Sequence, residues 1–499
     1  MQAQAIYQSY YTKSQPLVDY MVKMLGTQPG MRILEPCAGD GAFIDALIHE
    51  EANLFLEAYE MNPAAIATLR KKYKDRKNIC ITHADTLVDD QLTFLANAGG
   101  MYDRIIANPP YGAWQDFEKR KGLKHMYAEL YVKETYTLFL LRCIQLLNDG
   151  GKLVFIIPDT FLNLHRHTNL RKFLLTNTRI EEIVLFPTKF FPQVNFGYSN
   201  LSIITLERTY GKDNCLDNQF SVLTGFKKVE DLGNRAKCEK AYTFVQKDVY
   251  THPHHAFFVS DFSVTLHLNS PTQTIGDITD CVTGIYSGND KKYLRSLSLA
   301  GKNKEKYTLL DETMICSHYL AQEDLLEGIS SPQCFIPIVK GGAVKYLKPD
   351  LWYIDWSREA VKAYKTDRKA RFQNPSYYFR YGIGIPMVSS SRVTASLMEQ
   401  RVFDQSIVGV FPHRSEWMYY LLAFFNSPTC NTLLRTINPS ANNSANYIKK
   451  IPFIMPSNEM LETINSLVAE LLVVLKREGI VKTENERVIH SLFKELYGF

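Results

Sequence analysis

The chain has 499 residues, 45% of them hydrophobic, which is ample for two or three domains with their own cores and excludes a disordered polymer. Its formal net charge of +5 suits a polyanionic partner without demanding one. Cysteines 37, 80, 143, 215, 238, 281, 316, 334 and 430 form no C-x-x-C pair, which argues against a zinc site or a disulfide framework, and no apolar run is long enough to span a bilayer.

The opening "MQAQAIYQSYYTKSQ" lacks a basic start followed by an apolar core, so no export signal is read and a reducing cytoplasm is the expected compartment. From about residue 31 to 208, apolar β-rich runs alternate with helix-like stretches: "MRILEPC", "LFLEAYEM", "NICITHAD", "YDRIIANPP", "GGKLVFIIPD", "RIEEIVLF" and "LSIITLER". This alternation predicts β-α-β units, hence an α/β fold with a mostly parallel sheet covered by helices on both faces. "SNLSIITLER" follows the sixth run too closely for a long helix, which predicts an antiparallel last strand. The alternation fades after "ERTYGKDNCLDNQ".

The first strand runs into "ILEPCAGDGAF", where Gly39 and Gly41 allow a tight turn beside a ligand before a helix starts. The loop is neither G-x-G-x-x-G nor a P-loop, and Glu35 and Asp40 would repel a pyrophosphate. They suit a cationic ligand with an amino group. Strand two ends at Glu60, which can accept both hydroxyls of a ribose, and strand three leads to Asp85, which can accept from an adenine amine. Three carboxylates at three successive strand ends point to a positively charged adenosine derivative, S-adenosylmethionine.

Strand four delivers Asn108-Pro109-Pro110-Tyr111 to the same edge of the sheet. Both prolines fix φ, so the loop is stiff, and the Pro109 carbonyl is an acceptor that no helix or ladder needs. The Asn108 side-chain oxygen and that carbonyl can accept the two N–H groups of an exocyclic amine. Tyr111, expected to be exposed, can stack on the ring that carries it.

These motifs, in this order, resemble the gamma-class amino-group DNA methyltransferases, the N6-adenine enzymes of type II restriction-modification systems. The similarity covers about residues 7 to 208, with "YYTKSQPLVDYMV" standing where the family has its N-terminal cofactor motif. The resemblance implies a Rossmann-like catalytic domain over 1–210, a mixed α+β target-recognition domain over 220–455, and a helical segment over 456–499 packing on it. It implies that Tyr11, Thr12, Glu35, Ala38 and Gly39 surround the methionine part of the cofactor, Glu60 the ribose, Met61 and Asp85 the adenine, and Pro110 the rim. Asn108, Pro109 and Tyr111 would be catalytic, with Phe191, before Pro192, as a second aromatic for a base flipped out of the duplex. Lys13 and Asn62 depart from the family pattern, which more often has proline and an acidic residue there. Asn at 108 implies adenine N6 as the acceptor.

In the C-terminal half, Arg358, Lys362, Lys365, Arg368, Lys369, Arg371, Arg380 and Arg392 interleave with Tyr377, Tyr378, Phe379 and Tyr381. The mixture suits phosphate contacts plus base or sugar contacts, and Arg368, Lys369, Arg371, Arg380 and Arg392 are the candidate DNA contacts. The loop after "NPPY" adds Lys119, Arg120, Lys121 and Lys124 as backbone contacts. "VTGIYSGNDKKYLR", "IPIVKGGAVKYLK" and "NPSANNSANYIKKIPFIMP" contribute Gly- or Asn-rich loops with lysines. The expected partner is double-stranded DNA, read by a nucleoid-associated bacterial or archaeal monomer. No nuclease domain is placed in the chain, so a restriction endonuclease paired with it would be a separate protein. Rival readings are an RNA adenine methyltransferase, a protein-glutamine methyltransferase and a DNA-binding module without catalysis.

Overall fold

A computed structural model of the chain describes residues 12–112, 117–191, 200–209, 211–269, 271–298, 303–389, 392–438 and 442–499. Two compact units, Met1–Val259 and Ser260–Phe499, make up the chain.

All seven runs read as strands from the sequence form strands of one sheet in the first unit. They are β1 (Arg32–Glu35), β2 (Phe55–Glu60), β3 (Ile79–His83), β4 (Tyr102–Ala107), β5 (Leu147–Pro158), β6 (Thr178–Pro187) and β7 (Asn200–Arg208). The order is β3-β2-β1-β4-β5-β7-β6, extended on β6 by β8 (Gln219–Thr224) and β9 (Lys240–Val245). The five strands β3 to β5 are parallel, and β7 runs antiparallel between β5 and β6. This is the expected Rossmann-like architecture with its antiparallel strand.

Ile33, Leu34, Ile105, Ile106, Val154 and Ile156 have no exposed surface, because helices cover both faces. Each such side chain contributes about 1.5–3 kcal/mol by leaving water. The helices that frame the site are α1 (Gln15–Leu25), α2 (Ala42–Glu50), α3 (Pro63–Lys72), α4 (Asp90–Asn97), α5 (Phe117–Met126), α6 (Thr135–Leu146) and α7 (Thr168–Asn177). Helix α1 begins with Pro16 in its first turn and ends at Gly26 with φ of 63°; it buries Leu17, Val18, Met21, Val22 and Leu25 against the sheet side of the unit.

The first unit extends past the boundary expected at 210. Strand β8 pairs in parallel with β6, Ile183 beside Val222, and β9 pairs antiparallel with β8. The reason is edge protection: β6 would otherwise present an open ladder, and Phe220, Val222 and Leu223 are buried in covering it.

In the second unit, one five-stranded sheet orders Thr279–Thr283, Ile407–Pro412, Tyr381–Pro386, Ser396–Glu399 and Tyr346–Leu347. A second orders Thr308–Leu309, Leu294–Ser296, Trp352–Asp355, Phe335–Val339 and Val402–Phe403. Trp356 is fully buried among Tyr364, Phe372, Tyr378 and Phe379, and its indole N–H donates to the Leu325 carbonyl at 2.7 Å. The helices Asn458–Glu478 and Thr483–Leu496 pack on Trp417–Asn426 and Pro428–Ile437 of the same unit. This mixed α+β unit follows the α/β unit, as the sequence pattern predicts.

Candidate active site

The strand order reverses at β1, which has β2 on one side and β4 on the other, so the carboxyl ends of these strands open a crevice. Into it run the β1–α2 loop, the end of β2 and the N-P-P-Y loop after β4.

Gly39 has φ of 57° and Gly41 φ of 85°, a left-handed turn that glycine adopts without strain. A Cβ at 41 would lie 2.7 Å from the Tyr73 hydroxyl and 2.8 Å from a Leu69 methyl. Glu60 ties this loop down: its carboxylate accepts from the backbone N–H groups of Gly39, Met61 and Asn62, each at 2.8 Å. These charge-assisted bonds hold the β1 loop against the end of β2. Asn62 then caps α3, accepting from the Ala64 N–H at 3.1 Å.

Glu35 is only 3% exposed, and its Oε2 is buried without a hydrogen-bond partner among the described residues. Burial, followed by the Glu60, Asp40 and Asp45 carboxylates, pushes its pKa well above the usual carboxylate range. A buried carboxyl oxygen lacking a donor is the feature a cationic amino group would satisfy, and it fits the methionine end of S-adenosylmethionine. Cys37, which was not singled out from the sequence, lies between the two motifs: its thiol donates to the Asn108 carbonyl at 3.5 Å.

Asn108 directs its Nδ2 to the Thr12 hydroxyl at 3.1 Å, joining the N-terminal motif to the N-P-P-Y loop. Tyr11 lies outside the described residues. Ala38 is buried, and Met61 is exposed beside the glycine loop. Asp85 accepts from the Leu87 N–H at 3.1 Å and is ion-paired with Lys119 at 2.7 Å. A residue assigned to the DNA backbone therefore sits on one assigned to the cofactor's adenine. Arg120, Lys121 and Lys124 follow on α5, which buries Leu123; Lys121 and Lys124 are exposed.

Tyr111 is not exposed, contrary to expectation: 4% of its surface is accessible. Its ring meets that of Tyr136 edge to face, with centroids 6.5 Å apart and planes at 88°. The reason is α6, whose N-terminal turn passes behind the loop. The Thr135 hydroxyl donates to the Pro110 carbonyl. The Tyr136 hydroxyl lies 3.0 Å from the Thr160 Oγ1 and 3.3 Å from the His167 Nε2, which is 2.7 Å from the Glu134 carboxylate. Burial pushes the His167 pKa down, with Glu134 opposing. Glu134, Thr135 and Tyr136 were not singled out from the sequence, because "ETYTLF" reads as an ordinary apolar helix start.

Phe191 is also buried, 3% exposed, with its N–H on the Thr188 carbonyl at 2.9 Å. In the second unit Arg368, Lys369, Arg371, Arg380 and Arg392 are all exposed, whereas Lys365 is paired with Glu327 at 2.6 Å. The neighbouring aromatics divide: Tyr378 is buried on Trp356 and Phe403, Phe379 packs on Trp356, and Tyr377 packs on Phe411. Only Tyr381 of the four is exposed.

A model of the Eco57I restriction-modification methylase family matches residues 42–191, which contain the glycine loop's helix, Glu60, Asp85 and the N-P-P-Y loop. The chain is similar to the type II methyltransferase M.AccI of Acinetobacter calcoaceticus, 24% identical over 344 residues that cover 66% of this chain and 60% of the relative. It is also similar to the type II methyltransferase M.HindII of Haemophilus influenzae, 28% identical over 300 residues, 56% of this chain and 53% of the relative. The chain thus spans between about half and three-fifths of the length of these curated relatives. Among solved structures, the cryo-EM structure of a DrdV–DNA complex aligns with 94% of this chain and 57% of its own, with a TM-score of 0.55 at 13% identity, a likeness of fold.

Proposed function

We propose that the chain is a DNA methyltransferase of a restriction-modification system that transfers a methyl group from S-adenosylmethionine to the N6 amine of an adenine flipped out of duplex DNA. The observation that carries this reading is the junction of Asn108 with Thr12 at the crevice where Glu35 keeps a buried oxygen that no described residue partners. The family match over 42–191 and the similarity to two type II methyltransferases support it.

Thr12, Glu35, Ala38, Gly39, Glu60, Met61, Asp85 and Pro110 would hold S-adenosylmethionine, which supplies the activated methyl group when bound. Asn108 and the Pro109 carbonyl accept the two N–H groups of the amine, draw its lone pair out of conjugation and aim it. The Pro110 carbonyl is taken by Thr135, whereas no described hydrogen bond ends on that of Pro109. Because Tyr111 and Phe191 are buried, admitting a base between them requires the packing that covers them to yield locally, a cost added to that of unstacking the base. Arg120, Lys121, Lys124 and the exposed cations of the second unit would hold the DNA backbone.

Labelled S-adenosylmethionine incubated with duplex DNA or RNA tests the reading. We expect label in DNA at the adenine N6, and loss of transfer by more than about a hundredfold in Asn108→Ala with cofactor affinity retained. Label in RNA alone, or full activity of Asn108→Ala, refutes it.

A further inference from the structure

Among the described residues outside the expected site, the His165–His254 ring pair, the small pocket around Lys348 and Arg401, and the N-terminal turn of α6 each bring polar or aromatic side chains together. Only the last touches the N-P-P-Y loop directly. It does so at two consecutive residues.

We propose that Glu134, Thr135 and Tyr136, together with His167, form a clamp that positions the Pro110 carbonyl and the Tyr111 ring for methyl transfer. This inference rests on the functional reading above. Two prolines stiffen the N-P-P-Y loop along its own backbone but leave it free to pivot as a whole about its ends. A pivot of about 1 Å is enough to cost a reaction that depends on alignment. The Thr135 hydroxyl, held at the start of a helix that is almost wholly buried, fixes one point of the loop through the Pro110 carbonyl. The Tyr136 ring, edge to face with Tyr111, fixes a second.

Tyr136 is itself fixed. Its ring has no exposed surface, its hydroxyl is bounded by Thr160 and His167, and His167 is held by Glu134 at 2.7 Å. Glu134 is also ion-paired with Arg166, so its charge is compensated on the side away from the imidazole. Thr160 follows the end of β5, the strand beside β4, so the network joins the ends of two adjacent strands through α6. Such a set of hydrogen-bonded buried partners holds one geometry better than apolar packing of the same volume would. All four are positioning residues: they act on the loop, and the loop touches the substrate.

The test compares Thr135→Val, which keeps the shape and loses the hydroxyl, with Thr135→Ser, which keeps the hydroxyl, and adds Tyr136→Phe. Each is assayed with tritiated S-adenosylmethionine on plasmid DNA from a methylation-deficient host, together with cofactor Kd and Tm. We expect Thr135→Val to lower kcat about tenfold or more while cofactor Kd and Tm stay near wild type, Thr135→Ser to stay within about twofold, and Tyr136→Phe to fall between them. Wild-type kcat in Thr135→Val, or equal losses in Thr135→Val and Thr135→Ser, overturns the clamp while wild-type activity leaves the functional reading standing. If the wild-type chain labels no DNA, the functional reading falls, and the clamp with it.

Discussion

Glu35 shows at a single residue how this site is charged. Its Oε2 has no donor among the described residues, and burial with three nearby carboxylates raises its pKa above the ordinary value near 4.5. The native chain therefore keeps a proton that the unfolded chain releases, so the stability contribution of Glu35 falls as pH rises above that ordinary value toward the raised one. A bound ammonium group reverses the preference, because it stabilises the ionised carboxylate and expels the proton. Affinity for S-adenosylmethionine should therefore rise with pH across this window, with proton release visible as a dependence of the binding enthalpy on the buffer. Glu35→Gln, neutral throughout, should bind about ten- to a hundredfold more weakly and lose both the rise and the release. A wild-type pH dependence in that variant would remove Glu35 from the amino-group site.

Among the elements, those with a strong period were legible and those defined by tertiary packing were not. Strands β1 to β7 are apolar runs between turn residues, and Glu35 and Glu60 stand at the ends of β1 and β2. Strand β9 mixes exposed and half-buried residues at a sheet edge without strict alternation, so its pattern is too weak to announce a strand. The burial of Tyr111 depends on α6, more than twenty residues away in sequence, and nothing local encodes it. "SYYFRY" reads like an aromatic nucleic-acid surface, but Tyr378 and Phe379 fill the core around Trp356 and, of its aromatic and charged side chains, Arg380 and Tyr381 are the exposed ones. Helix α5 is legible in a different way: it buries Leu123 and carries a cationic run. Lys119 belongs partly to Asp85, so a test of DNA binding by this helix should leave it in place. Replacing Arg120, Lys121 and Lys124 with Ala should weaken binding to all duplex sequences alike and flatten the slope of log K against log salt by about 0.9 for each phosphate that is no longer neutralised. An unchanged slope would mean that α5 does not touch the backbone.

For the whole molecule, division into two units separates the residues proposed to hold the cofactor from the five candidate DNA contacts of the C-terminal half. Every residue assigned to S-adenosylmethionine lies in Met1–Val259, and Arg368, Lys369, Arg371, Arg380 and Arg392 lie in Ser260–Phe499. Each unit has its own buried cluster, so exposed side chains of the second can be exchanged without disturbing the packing around the glycine loop. The five cations account for the whole of the formal net charge of +5, so exchanging them for Gln brings it to zero. Binding driven by counterion release should then lose more than about tenfold in affinity at moderate salt, and the loss should shrink as salt rises, because the wild-type advantage is itself screened. Cofactor affinity and Tm should not change, since surface charges far from a packed cluster alter stability by about 0.5 kcal/mol or less. Measured with a duplex of random sequence and again with a duplex carrying the methylated site, the variant should lose affinity for both. Equal affinity of variant and wild type at every salt concentration would show that the second unit reaches DNA by another face.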